Sequence, residues 1–223
     1  DDVVLSTMGR SFWIMDNIHF LREYRANDSE MLYPVADVVR YRFRPSTENH
    51  VSYPQTAAEF DYKISRDDVK EVSISIYDMS DNLVNSYRSV NKNEEVSDYT
   101  MSSNEFTFIS SSNISKNKGV NRFRWDMRHA GSWSSNERFS YRNGPLVRPG
   151  EYRVVVSIDG VSFSQNFSIL SDPRLDLTDE MYAEQEKFLL EVRDFVTEVR
   201  RFEERVSNML KKRPKNKNLI SLA

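Results

Sequence analysis

The sequence predicts a mainly β protein, an antiparallel sandwich followed by one long C-terminal helix. Three observations predict it. Apolar and polar residues alternate with period two through much of residues 35–171, which turns one face of each strand inward and the other toward water. Two such runs flank Asp159-Gly160, the pair favoured in two-residue type I′ hairpins because both central positions need positive φ. Beyond Thr178 the apolar residues recur in alternating steps of four and three, the spacing of a helical seam.

A chain of 223 residues is long enough for one or two domains with a sizeable core. At 39% hydrophobic and 12% aromatic it carries too many Phe, Tyr and Trp for a disordered chain. A net charge of -3 argues against a basic nucleic-acid face. No apolar run approaches the roughly 18–20 residues of a membrane span. The absence of Cys removes disulfides, thiol nucleophiles and Cys-ligated metals together.

Residues 1–30 hold two strand-like runs, Val3–Leu5 and Phe12–Met15, joined around Gly9. So small a hairpin has nothing of its own to bury its side chains on. The chain opens on Asp1-Asp2 with no initiator Met, and an apolar run follows at once, which reads as a piece of a longer protein. The sandwich is expected over residues 35–171. Val38–Phe43 stops at Pro45; Phe60, Tyr62 and Ile64 alternate, as do Val72, Ile74 and Ile76; Asp81-Asn82 turns the chain into Leu83–Tyr87. Phe106–Ile109 is an isolated strand in the polar insertion 89–118. Phe123, Trp125 and Met127, then Tyr152, Val154, Val156 and Ile158, then Val161, Phe163, Phe167 and Ile169 complete the pattern. About seven strands with turn signals between them suggest an immunoglobulin- or fibronectin-like sandwich. Residues 128–149 are longer than a usual strand connection, and loops of that length tend to be functional or disordered.

A helix is expected over residues 176–212, capped by Thr178, with Asp179 and Glu180 in the first turn. Phe188, Val192, Phe195, Val199, Phe202, Val206 and Met209 form one narrow apolar stripe among charges. Such a stripe wants a partner: another copy, a segment not in the chain, or the sandwich itself. Residues 213–223 form a basic tail, expected to be a solvated end.

With these motifs placed, a family resemblance emerges. VVLSTMGRSFWIMDNI resembles the last inner strand of the β-propeller in large bacterial secreted proteins with sortilin-like, neuraminidase-type repeats. GVNRFRWDMR, GPLVRPGEYRVVVSIDG and FSILSDPR resemble the sandwich that follows the propeller there, in the same order. The resemblance implies a secreted, periplasmic or cell-surface parent of the glycosyl-hydrolase-like type, in which the helix is one arm of a helical hairpin. It implies that Val3, Val4, Phe12, Trp13 and Ile14 once packed on the propeller, making residues 1–30 a strand remnant and linker. It implies that the partners of this chain are the upstream propeller and a second helix, with self-association through the helix as another route. Any glycosidase carboxylates would lie in the propeller. The sandwich half is also similar to the immunoglobulin-like domain of flagellar hook-capping proteins, a likeness of fold that carries no function.

Chemistry is not announced. His19, His50 and His129 lie far apart, without metal-ligand spacing, so no metal or other cofactor is expected. No nucleophile elbow and no phosphate-binding glycine loop occurs. Asp126, beside Trp125 at a strand end, is the best-placed carboxylate for glycoside hydrolysis; its plainer role is a turn cap or a partner for Arg124 or Arg128. Trp133, Phe139 and Tyr141 offer rings for a sugar platform, or fold back as a lid over one sandwich edge, the plainer alternative. The expectation is a non-catalytic interaction module, with carbohydrate binding as the alternative.

Overall fold

A computed structural model of the chain describes residues 2–9, 11–15, 17–24, 29–41, 56–89, 109–111, 114–136 and 140–212. In chain order the elements are β1 (Val3–Ser6), β2 (Phe12–Met15), α1 (His19–Glu23), β3 (Met31–Leu32), β4 (Val38–Arg40), β5 (Ala58–Ile64), β6 (Val72–Asp78), β7 (Leu83–Ser89), β8 (Ile109–Ser111), β9 (Gly119–Trp125), β10 (Gly150–Ile158), β11 (Val161–Ser171) and α2 (Asp179–Lys212). The fold is mainly sheet with one long C-terminal helix. A six-stranded sheet runs β4-β11-β10-β6-β7-β8, a three-stranded sheet β3-β5-β9, and among the described residues β1 pairs only with β2.

Alternation places the core as the sequence implies. Val72, Ile74 and Ile76 of β6 and Val154, Val156 and Ile158 of β10 are fully buried. They meet Phe60, Phe123 and Trp125 of the smaller sheet in one hydrophobic cluster. Each such side chain removed from water contributes about 1.5–3 kcal/mol. Aromatic rings knit the two sheets: Trp125 lies 6.3 Å from both Tyr152 and Phe167, and Tyr87 lies 5.0 Å from Phe123. The β10–β11 hairpin turns at Asp159 and Gly160, with φ of 46° and 89°, as a type I′ turn requires.

Three expectations need correction. The two larger sheets hold nine strands among the described residues rather than about seven, because Met31–Leu32 adds β3 beside β5 and β8 adds a short parallel edge to β7, as the expected β4 does to β11. Within the expected strand Phe106–Ile109, only Ile109 falls on described residues, where it opens β8. The outer face of β5 is not in water, since Asp61 and Lys63 are buried there. Arg122 forks onto the Asp61 carboxylate at 2.7 and 2.9 Å and also donates to the Asn17 carbonyl. Asn17 donates in turn to Glu59. Phe20 of α1 lies under the Arg122 guanidinium and edge-on to buried Tyr33. Residues 17–24 therefore lie against the sandwich through Asn17, Phe20 and Tyr24.

Candidate functional site

Within residues 128–149, expected as a long loop, the described segments form a narrow ladder in which 127–132 runs beside 141–147. The Val147 amide donates to Met127, His129 to Pro145, Gly131 to Tyr141, and Tyr141 to Ser132. The two arms approach so closely that a Cβ on Gly131 would lie 2.0 Å from the Arg142 carbonyl oxygen, and one on Gly144 2.1 Å from that of His129. Only glycine fits at either crossing. Met127, Tyr141 and Asn143 all take positive φ near 57°, a region where a residue as bulky as Met or Tyr is an outlier.

Helix α2 docks on this ladder. Its first turn is capped by Thr178, whose Oγ1 accepts from the Met181 amide. Glu186 is the clamp: its carboxylate accepts from the Arg148 amide at 2.9 Å and lies 2.8 Å from His129 Nε2. Burial opposes ionisation of Glu186, but the hydrogen bonds from His129 and Arg148 outweigh it and hold its carboxyl below the usual range. One helix turn after another then meets the ladder. Arg193 reaches the Ala130 carbonyl, Thr197 Oγ1 accepts from the Trp133 amide, and Arg200 donates to Ser132.

The predicted aromatic residues have different fates. Tyr141 is 7% exposed and packs with Ala130 against Tyr87 and Trp133. Trp133 is half-buried and stands beneath the Arg201 guanidinium at 5.7 Å. Both rings stand at the contact between helix and ladder. Phe139 lies outside the described residues, as do His50 and the basic tail.

Between α2 and the ladder runs a cavity of about 1090 Å³. Asp126 lines it and pairs with Arg128 at 3.5 Å, the plainer role expected of it. Desolvation raises the Asp126 carboxyl above its usual range, with Arg128 opposing; its side chain is still half open to water, which limits the effect. No second carboxylate lines the cavity among the described residues, whereas glycoside hydrolysis needs a pair. The same residues show no grouping of His, Asp and Glu fit for a metal.

The two faces expected to pack on partners are open over most of their length. In β1–β2, Val4 stands opposite Ile14 and Leu5 opposite Trp13. Val4, Leu5, Phe12, Trp13 and Ile14 are all exposed, Trp13 at 63%; Val3 is intermediate. On α2, Phe188 and Phe195 are 64% and 65% exposed, and Val192, Val199 and Phe202 are open too. Val206 is the exception at 5%, and Met209 beyond it is exposed again at 52%. The helix meets the ladder through a different face, roughly a third of a turn around: Glu186 and Arg193 touch the ladder, Leu189 and Val196 line the cavity between, and Tyr182 lies by Arg40 of β4. Stripe and docked face coexist on one rod.

Comparison with protein-family models, with curated proteins and with solved structures finds no match to this chain.

Proposed function

We propose that this chain is a non-catalytic interaction module. Its β1–β2 hairpin packs into a neighbouring domain, and the Phe188–Phe202 stripe of α2 pairs with a second helix. One observation carries the proposal: the hairpin presents large apolar side chains on both faces, and both faces are open. A hairpin on a surface needs one apolar face; one with two is built to lie between layers, since contiguous apolar surface of this kind marks an interaction site. The finer proposal is that the two facing sheets are an immunoglobulin- or fibronectin-like sandwich. It follows a β-propeller in a secreted or periplasmic protein of the sortilin-like, glycosyl-hydrolase-like type. The antiparallel run β11-β10-β6-β7 and the propeller-like motif of β1–β2 support it.

The test begins with the genomic reading frame upstream of Asp1, where propeller repeats are expected. Expressed together with that segment, the chain should shield Trp13 from acrylamide quenching, which the isolated chain does not. Equal quenching in both forms, or a frame without repeats, contradicts the proposal.

A further inference from the structure

The cavity beside α2 lies apart from the hairpin and shares only Val192 with the stripe, and its lining is specific enough to name a ligand class. It runs along the helix from Gln185 to Val196, eleven residues and so about 16 Å of rise. One wall is apolar: Leu146, Leu175, Leu177, Leu189, Val192 and Val196. Leu175, Leu177 and Val192 are exposed, so this wall meets water in the free chain.

Among the described residues, four guanidiniums also line the cavity, those of Arg40, Arg128, Arg142 and Arg193. Arg128 pairs with Asp126, and Arg193 with Asp194 at 2.6 Å. Arg40 differs. Its close contacts are neutral groups: it donates to Gln185 Oε1 at 3.0 Å and lies 4.9 Å from the Tyr182 ring, with the Glu186 carboxylate acting on it from farther away. It forms no ion pair with a carboxylate among the described residues, and its Nε is buried without a hydrogen-bond partner. Burial outweighs its neighbours and lowers its affinity for its proton. A positioned, partly desolvated cation beside an apolar trough has one missing complement, which is an anion with a hydrophobic body.

From this juxtaposition we infer that the trough between α2 and the 127–147 ladder binds a small amphiphile with a single carboxylate head. The head pairs with Arg40, and the apolar body lies along Leu189, Val192 and Val196 toward Ser132. The left-handed residues Met127 and Asn143 and the two glycine crossings fix the opposite wall, the kind of strained, over-determined backbone found at ligand clamps.

Calorimetric titration of the full chain with decanoate, decanol and inorganic phosphate tests this. Decanoate should saturate one site, decanol should bind at least tenfold more weakly, and phosphate should give no heat. Arg40→Gln should weaken decanoate at least tenfold. Val192 is exposed and tolerant of change, so a second pair of variants stands independent of folding at Arg40: Val192→Glu should abolish binding and Val192→Lys should retain it. Trp13→Ser should leave the titration unchanged, which separates the trough from uptake by the exposed hairpin. Absence of saturable decanoate binding, equal affinity in Arg40→Gln, phosphate binding as strong as decanoate, or loss of binding in Trp13→Ser overturns the inference.

Discussion

Asp126 follows β9 and Asp172 follows β11, and the two titrate in opposite directions. Arg174 forks onto the Asp172 carboxylate and holds its carboxyl down to about 2. Its stabilising effect is present above the usual carboxylate range and is lost only as pH falls through that lowered value. At Asp126 desolvation wins and the folded value is raised, so its effect has the reverse sign. Folding is favoured below the unfolded value and loses that help as pH rises through the folded one. Asp126→Asn should therefore be slightly more stable than the parent at pH 7, by less than about 1 kcal/mol because half of the side chain is in water. The difference should vanish below pH ~3. Urea unfolding at the two pH values measures it, and a neutral-pH loss of stability would show that the Arg128 pair dominates. The strand-end position of Asp126 was legible from Phe123, Trp125 and Met127. Its desolvation was not, because that depends on a ladder closed by Gly131 and Gly144, whose contacts lie more than ten residues apart.

The elements divide the same way. Strands β6, β10 and β11 and the Asp159-Gly160 turn were legible because alternation and turn chemistry are local. The outer face of β5 misled because Glu59, Asp61 and Lys63 look solvated by period, while Asn17 and Phe20 come from far away in sequence to cover them. The start of α2 was legible from Thr178, and the stripe from its spacing. The docked face was not, since Tyr182, Glu186 and Arg193 are ordinary surface residues until the ladder meets them. Glu186 is predicted to fasten this contact. Glu186→Gln should cost about 1.5–3 kcal/mol at pH 7, the range for hydrogen bonds to a charged group, and should release the first half of the helix before the sheets unfold. The folded carboxyl lies below its usual 4.5, so the parent holds this stability above that value and loses it as pH falls; the variant lacks that dependence. Circular dichroism melts at pH 7 and pH 4 distinguish the two, and superimposable melts contradict the clamp.

At the scale of the whole molecule, two sheets and the segment covering them make a body with its own sealed core, while β1–β2 and the open stripe of α2 stand outside it. The dividing line runs between β2 and α1, because Asn17 and Phe20 are bound to Arg122 and Tyr33 while Phe12, Trp13 and Ile14 touch water. Residue-resolved hydrogen exchange on the isolated chain tests this division most directly. Amides of Val3–Met15 should exchange at the rate of local opening, near zero protection, while those of β6 and β10 open only with global unfolding. Leu21 and Phe20 should follow the sheets. Protection of β1–β2 equal to that of β10 would mean that the hairpin is already housed, and would contradict its assignment as an interface.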